Sequence, residues 1–249
     1  MKIPAKVMKF RSELASDIDK VFEWLKDADI TIIGDVSSII SALKSSNAKT
    51  IPNESTKESY WGYELDNFVL KLTNRPRNTL PKKAKALEII FDNHIVSDHE
   101  DLDSIKDPFK YLIFNMVILG RDKNKKQYIN SWHLDRHLGG ETKEAHAIYH
   151  MHYGGAKLNG RSLGDSLLLD APRLVHYPMD FILGIDFILS NFFPSEWDYL
   201  LNKTEYPMVI QKYQKYFLKP YSFALASHWN KNFGMPVEWA SNDVCPTLI

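Results

Sequence analysis

The stretch AHAIYHMHYGG, Ala145 to Gly155, holds three of the chain's nine histidines, and His150 and His152 are separated by a single residue. Alternate side chains of an extended strand share a face, so these two imidazoles point the same way as Ile148. Tyr149, Met151 and Tyr153 point the other way. Neutral imidazole suits zinc, iron, nickel or copper, and a same-face pair can supply two ligands to one divalent metal ion. A third ligand must arrive from elsewhere. Gly154 and Gly155 allow a sharp turn or a close backbone approach, and a glycine pair is equally normal at a strand end. His146 precedes the strand and need not join the pair.

A second cluster, HLDRH, runs from His133 to His137. If extended, it puts His133, Asp135 and His137 on one face, with the outer pair about 13 Å apart, too far for all three to hold one ion. If it curls into a helical turn, His133 and His137 become neighbours and Asp135 faces away. Neither geometry makes a complete metal signature, and the HExxH and HxHxDH patterns are absent. The third segment, LLLDAPRLVHYPMD, brings Asp170 as a hard ligand or imidazole-orienting group and Arg173 as an anion clamp. His176 is there as a third ligand or an acid/base. A purely structural account also fits: Asp170 caps backbone amides, Arg173 makes a salt bridge, and Pro178 starts a helix.

Together these residues suggest a metal-assisted hydrolase acting on a phosphate ester or nucleic-acid-like substrate. His150 and His152 would be ligands, completed by Asp170 or His176. The ion would activate water, Arg173 would neutralise substrate charge, and His133 or His137 would carry a proton. The alternative is a non-enzymatic protein-interaction module. Its histidine-rich centre would be structural, and the aromatic C-terminal helices would supply apolar anchors for a protein partner.

The elements that must position these residues read as α+β. SELASDIDKVFEWLKD has helical spacing, with Ser12 or a neighbour as its cap, and ITIIGD is a short apolar run before a second helical pattern. NAKTIPNESTKES is a turn-rich loop. YWGYELDNFVLKLT alternates like a strand, although Trp61 and Tyr63 could belong to a turn, and NRPRNTLPKKAKALEIIFDNHI moves from a basic connection into a helix. YLIFNMVILG and QYINSWHLD, joined by RDKNKK, form a hairpin, with further strands over residues 147–153 and at SLLLD. Short links between antiparallel pieces favour a meander. PMDFILGIDFILSNFFP is an apolar helix with Pro178 at its start and Pro194 at its end, and shorter helices follow, broken near Pro220. The expectation is a single α+β domain over residues 1–249: a central antiparallel sheet flanked by N-terminal and C-terminal helices, with a helical portion over about residues 1–58 packed on it.

Bulk properties limit the partners. Lys plus Arg and Asp plus Glu are both 31, so no net positive charge drives non-specific nucleic-acid binding, although a local groove is not excluded. The basic group Arg75, Arg77, Lys82, Lys83 and Lys85 and the acidic group Asp98, Glu100, Asp101, Asp103 and Asp107 read as solvated surface. One cysteine, Cys245, excludes an intrachain disulfide framework and a cysteine-rich zinc cluster, and fits a cytoplasmic location. The N-terminus lacks a secretory h-region, and no apolar run is long enough to span a bilayer.

Overall fold

The computed structural model describes residues 3–52, 54, 56–73, 76, 79–99, 106–137, 146–155, 158–160, 174–229 and 239–248. Its centre is a seven-stranded antiparallel meander in which every strand pairs with its neighbours in sequence. The strands are β1 (Thr31–Ile33), β2 (Tyr60–Lys71), β3 (Ala86–Asp98), β4 (Tyr111–Arg121), β5 (Gln127–Arg136), β6 (Tyr149–Tyr153) and β7 (Leu174–Val175). Helices α1 (Ala5–Asp27) and α2 (Ser37–Lys44) precede or interrupt its start. After the sheet come α3 (Phe181–Phe192), α4 (Pro194–Leu201), α5 (Glu205–Tyr213), a π-helical stretch (Gln214–Leu218), α6 (Lys219–Ala226) and α7 (Ser241–Val244). Among the described residues no helix is long and apolar enough to cross a membrane.

One face of the sheet carries the core. Phe68, Phe91, Phe114, Leu134, Tyr149 and Met151 are buried there in one cluster with residues of α1, α2 and α3. Helix α3 is apolar nearly all round: Phe181, Ile182, Leu183, Gly184, Ile185, Ile188 and Leu189 are all buried. A helix of that composition must be covered on every side. It lies against Phe68 and Phe91 of the sheet and touches α1, α4 and α5, with Ser190 and Asn191 near its end left exposed. A Cβ at Gly184 would come 2.8 Å from Phe114, so the missing side chain lets this helix sit down on the strand beneath it.

Three local expectations are corrected. The segment after Ala86 is strand β3 and not a helix: every second residue from Leu87 to Ile95 (Leu87, Ile89, Phe91, Asn93 and Ile95) is buried. Leu87, Ile90, Phe91 and His94 also fit a helical spacing, but isoleucine and phenylalanine favour the pleated surface and decide the outcome. Trp61 and Tyr63 are buried within β2 and not in a turn. Helix α1 starts at Ala5 after Pro4, with no side-chain cap, which leaves Ser12 exposed two turns inside it. Two prolines act at helix starts: Pro194 opens α4, and Pro220 lies in the first turn of α6, directly after the π-helical stretch. The expected SLLLD strand lies outside the described residues.

The cap of α3 is Asp180, fully buried, whose side chain accepts from the Leu183 amide at 2.9 Å. Its Oδ2 has no hydrogen-bond partner among the described residues. Burial pushes this carboxyl up to about 7, against the downward pull of the first-turn amides. The folded chain therefore keeps a proton that the unfolded chain releases near pH 4. Stability should fall as pH rises from about 4 to about 7, by up to about 1.4 kcal/mol per pH unit from this group, and then level off. Urea unfolding of Asp180→Asn should lack that component of the slope. A second expectation concerns β2: a Cβ on Gly62 would lie 1.9 Å from the Ile95 carbonyl oxygen. Gly62→Ala should cost about 1–3 kcal/mol in the same assay, because the obstacle is backbone and cannot rotate away.

Candidate metal centre

Strands β5 and β6 pair in a fixed register: Trp132 faces Tyr153, His133 faces His152, Leu134 faces Met151, Asp135 faces His150, and Arg136 faces Tyr149. Leu134, Tyr149 and Met151 enter the core, so His133, Asp135, His150 and His152 all lie on the opposite face of the sheet. This face is polar across four strands. Asp92 pairs with Asn115, Asn115 with His133, and His133 with His152, forming one row perpendicular to the strands. Asp92 anchors the far end of the row, accepting from the Asn67 amide at 2.9 Å in the bulge of β2.

Within this face His133, Asp135 and His152 converge. The His133 Nε2 is 3.2 Å and the His152 Nε2 3.9 Å from the Asp135 Oδ2. One ligand atom from each of the three lies within 4.8 Å of the others. The two histidine side chains are only 13% and 11% exposed, and that of Asp135 is 35% exposed. Burial pushes the Asp135 carboxyl up to about 6. Two imidazoles and a carboxylate in this arrangement can coordinate a metal ion.

The glycine pair after β6 helps hold the group in place. Gly154 (φ +112°) donates to the Ser131 carbonyl at 2.8 Å and turns the chain back over the sheet. Gly155 (φ +79°) then lies on the His133 ring: a Cβ there would come 2.6 Å from its Cε1. Opposite the site, on the core face, Arg136 donates to Asp107 Oδ2 at 3.0 and 2.8 Å, and the Tyr149 hydroxyl donates to the other oxygen of the same carboxylate. This buried ion pair ties β5 to β6 behind the histidines, so Asp107, expected to be solvated, is structural.

The residues singled out from sequence are only partly brought together. His152 joins the three-donor group, and His133, expected to carry a proton, sits within it as a donor. His150 is 4% exposed and directly faces Asp135 in the ladder, but its Nε2 lies 3.3 Å from the Nε2 of His146. His137 lies just beyond β5, its amide donating to the Ile148 carbonyl at 2.7 Å and its ring stacking on His146. His176 is on the other side: its ring stacks on Tyr177 and meets Phe187 of α3, and its Nδ1 donates to the Tyr177 carbonyl at 2.7 Å. Burial lowers the pKa of that imidazole. Asp170 and Arg173 lie outside the described residues. Asp135, considered within HLDRH but given no role there, is the third donor of the group. The signal for it is an H-x-D strand set against an H-x-H strand, readable only once the register across residues 137–148 is known.

The two glycines predict different outcomes. Gly154→Ala meets nothing within 4 Å and should cost only the left-handed backbone strain, about 1–2 kcal/mol, leaving the His133 imidazole signals in histidine-selective NMR unmoved. Gly155→Ala should incur that strain and also displace the His133 ring, visible as a shift of its imidazole resonances.

The chain matches no protein-family model, no curated protein and no solved structure. The functional reading therefore rests on the donor set itself.

Proposed function

We propose that the chain is a metal-dependent hydrolase whose divalent ion is held by His133, Asp135 and His152. The observation that carries this reading is the convergence of two imidazoles and one carboxylate on a largely buried sheet face, three protein donors among the described residues. That ligand number is typical of catalytic zinc sites, whereas structural sites are closed by a fourth protein ligand. A bound ion would supply a water nucleophile active near neutral pH.

His150 faces Asp135 across the ladder and directs its Nε2 toward His146. Asn115 pairs with His133 in the polar row, and its side-chain amide donates to Asp92 at 3.5 Å. A phosphate ester or nucleic-acid-like molecule is the proposed substrate class. Arg173 is the sequence's candidate for neutralising substrate charge, since a planar guanidinium suits a phosphate oxygen pair. The non-enzymatic reading has less to draw on. The C-terminal aromatics Tyr206, Tyr213, Phe217 and Tyr221 are buried in the core, and the exposed Tyr199, Met208 and Trp229 do not lie in one helix.

The test is metal content together with turnover. Untagged protein should carry a divalent metal and hydrolyse a chromogenic phosphodiester, and chelation should abolish turnover. A His133→Ala/His152→Ala variant should lose metal affinity by more than the ~10–100-fold expected for losing an outer-sphere partner. His176→Ala should keep both metal and activity. Metal binding without hydrolysis of any ester, or turnover that survives chelation, would sink the hydrolase reading.

A further inference from the structure

The imidazoles beside the three donors form their own group. The His150 Nδ1 donates to the Ala147 carbonyl at 3.1 Å, so the Nε2 of the neutral ring carries its lone pair. That Nε2 faces the His146 Nε2 at 3.3 Å, and His137 stacks on His146 with ring centroids 4.0 Å apart. An N–H donor normally sits about 2.7–3.2 Å from its acceptor, so 3.3 Å is long for a plain hydrogen bond. It does match the edge of a tetrahedral ion, because with Zn–N of about 2.0–2.1 Å two ligand nitrogens stand about 3.3–3.4 Å apart.

We propose that His146 and His150 hold a second cation of the zinc type, separate from the His133–Asp135–His152 position, with water filling its remaining positions. Asp135 lies between the two positions: it faces His150 across the ladder, and its Oδ2 is 3.9 Å from His152. The His150 and His152 rings are nearly parallel, with centroids 5.6 Å apart, and each directs its Nε2 to a different partner. Two ions side by side suit phosphoryl transfer, where one stabilises the attacking oxygen and the other the leaving oxygen. That use of the pair rests on the hydrolase reading, whereas the second site rests on His146 and His150 alone.

Titration of the chelator-stripped full chain with Co²⁺ alone, followed by absorption and elemental analysis, tests this. Wild type should bind two Co²⁺ per chain. His146→Ala should bind one, and His133→Ala/His152→Ala should bind one. A wild type that binds one ion, lost in His133→Ala/His152→Ala and kept in His146→Ala, overturns the second site and leaves the first standing. One ion lost only in His146→Ala overturns the first site instead, and no binding overturns both. Because a substitution can unfold a buried cluster, imidazole ¹⁵N NMR of the unmutated chain gives an independent reading. Zn²⁺ should move the Nε2 signals of both His146 and His150, and a pair that is only hydrogen-bonded would leave them in place.

Discussion

The candidate site depends on one constraint, the register of β5 on β6. Side chains on a strand alternate with period two, so a slip of one residue would turn His150 and His152 into the core and push Tyr149 and Met151 out. The register is held from behind by the Arg136–Asp107–Tyr149 contacts and by the apolar burial of Leu134 and Met151. The charged and aromatic groups on the core face and the donors on the polar face are therefore parts of one alignment. Energetically the core side is the stronger partner, because burying apolar side chains outweighs anything three solvent-shielded polar groups gain from one another.

Much of the architecture was legible because it rests on local periodicity. The β4–β5 hairpin has a polar turn between two alternating runs, α3 has an unmistakable apolar stripe, and short links made a meander the economical topology. β3 was not legible from period alone. Its apolar positions satisfy both a helical and an extended template over the same ten residues, and only the pairing with β2 and β4 separates them. Trp61 and Tyr63 misled in a similar way, since a glycine between two aromatics resembles a turn until Gly62 is seen pressed against the Ile95 carbonyl.

The site was half legible. Alternation placed His150 and His152 on one face, but ligand geometry depends on which residues lie opposite, and the connection between β5 and β6 is too long to fix that by turn rules. His133 and Asp135 looked too far from a useful partner along their own strand. The partner lies across the ladder, about one strand spacing away, and distance along a single strand says nothing about it. His176 illustrates the complementary point: its amide donates a hydrogen bond to the Tyr149 carbonyl of β6 at 3.3 Å, yet its ring meets Phe187 on the helical side.

The start of β6 is gripped from both flanks. The Ile148 carbonyl accepts from His137, while the Ile148 amide donates to the Asp243 carbonyl beside α7, and Trp239 leans on Tyr149 from the same side. Releasing α7 would free one flank of the strand that carries His150 and His152. The short C-terminal helix, more than ninety positions away in sequence, is thereby tied to the start of the histidine strand.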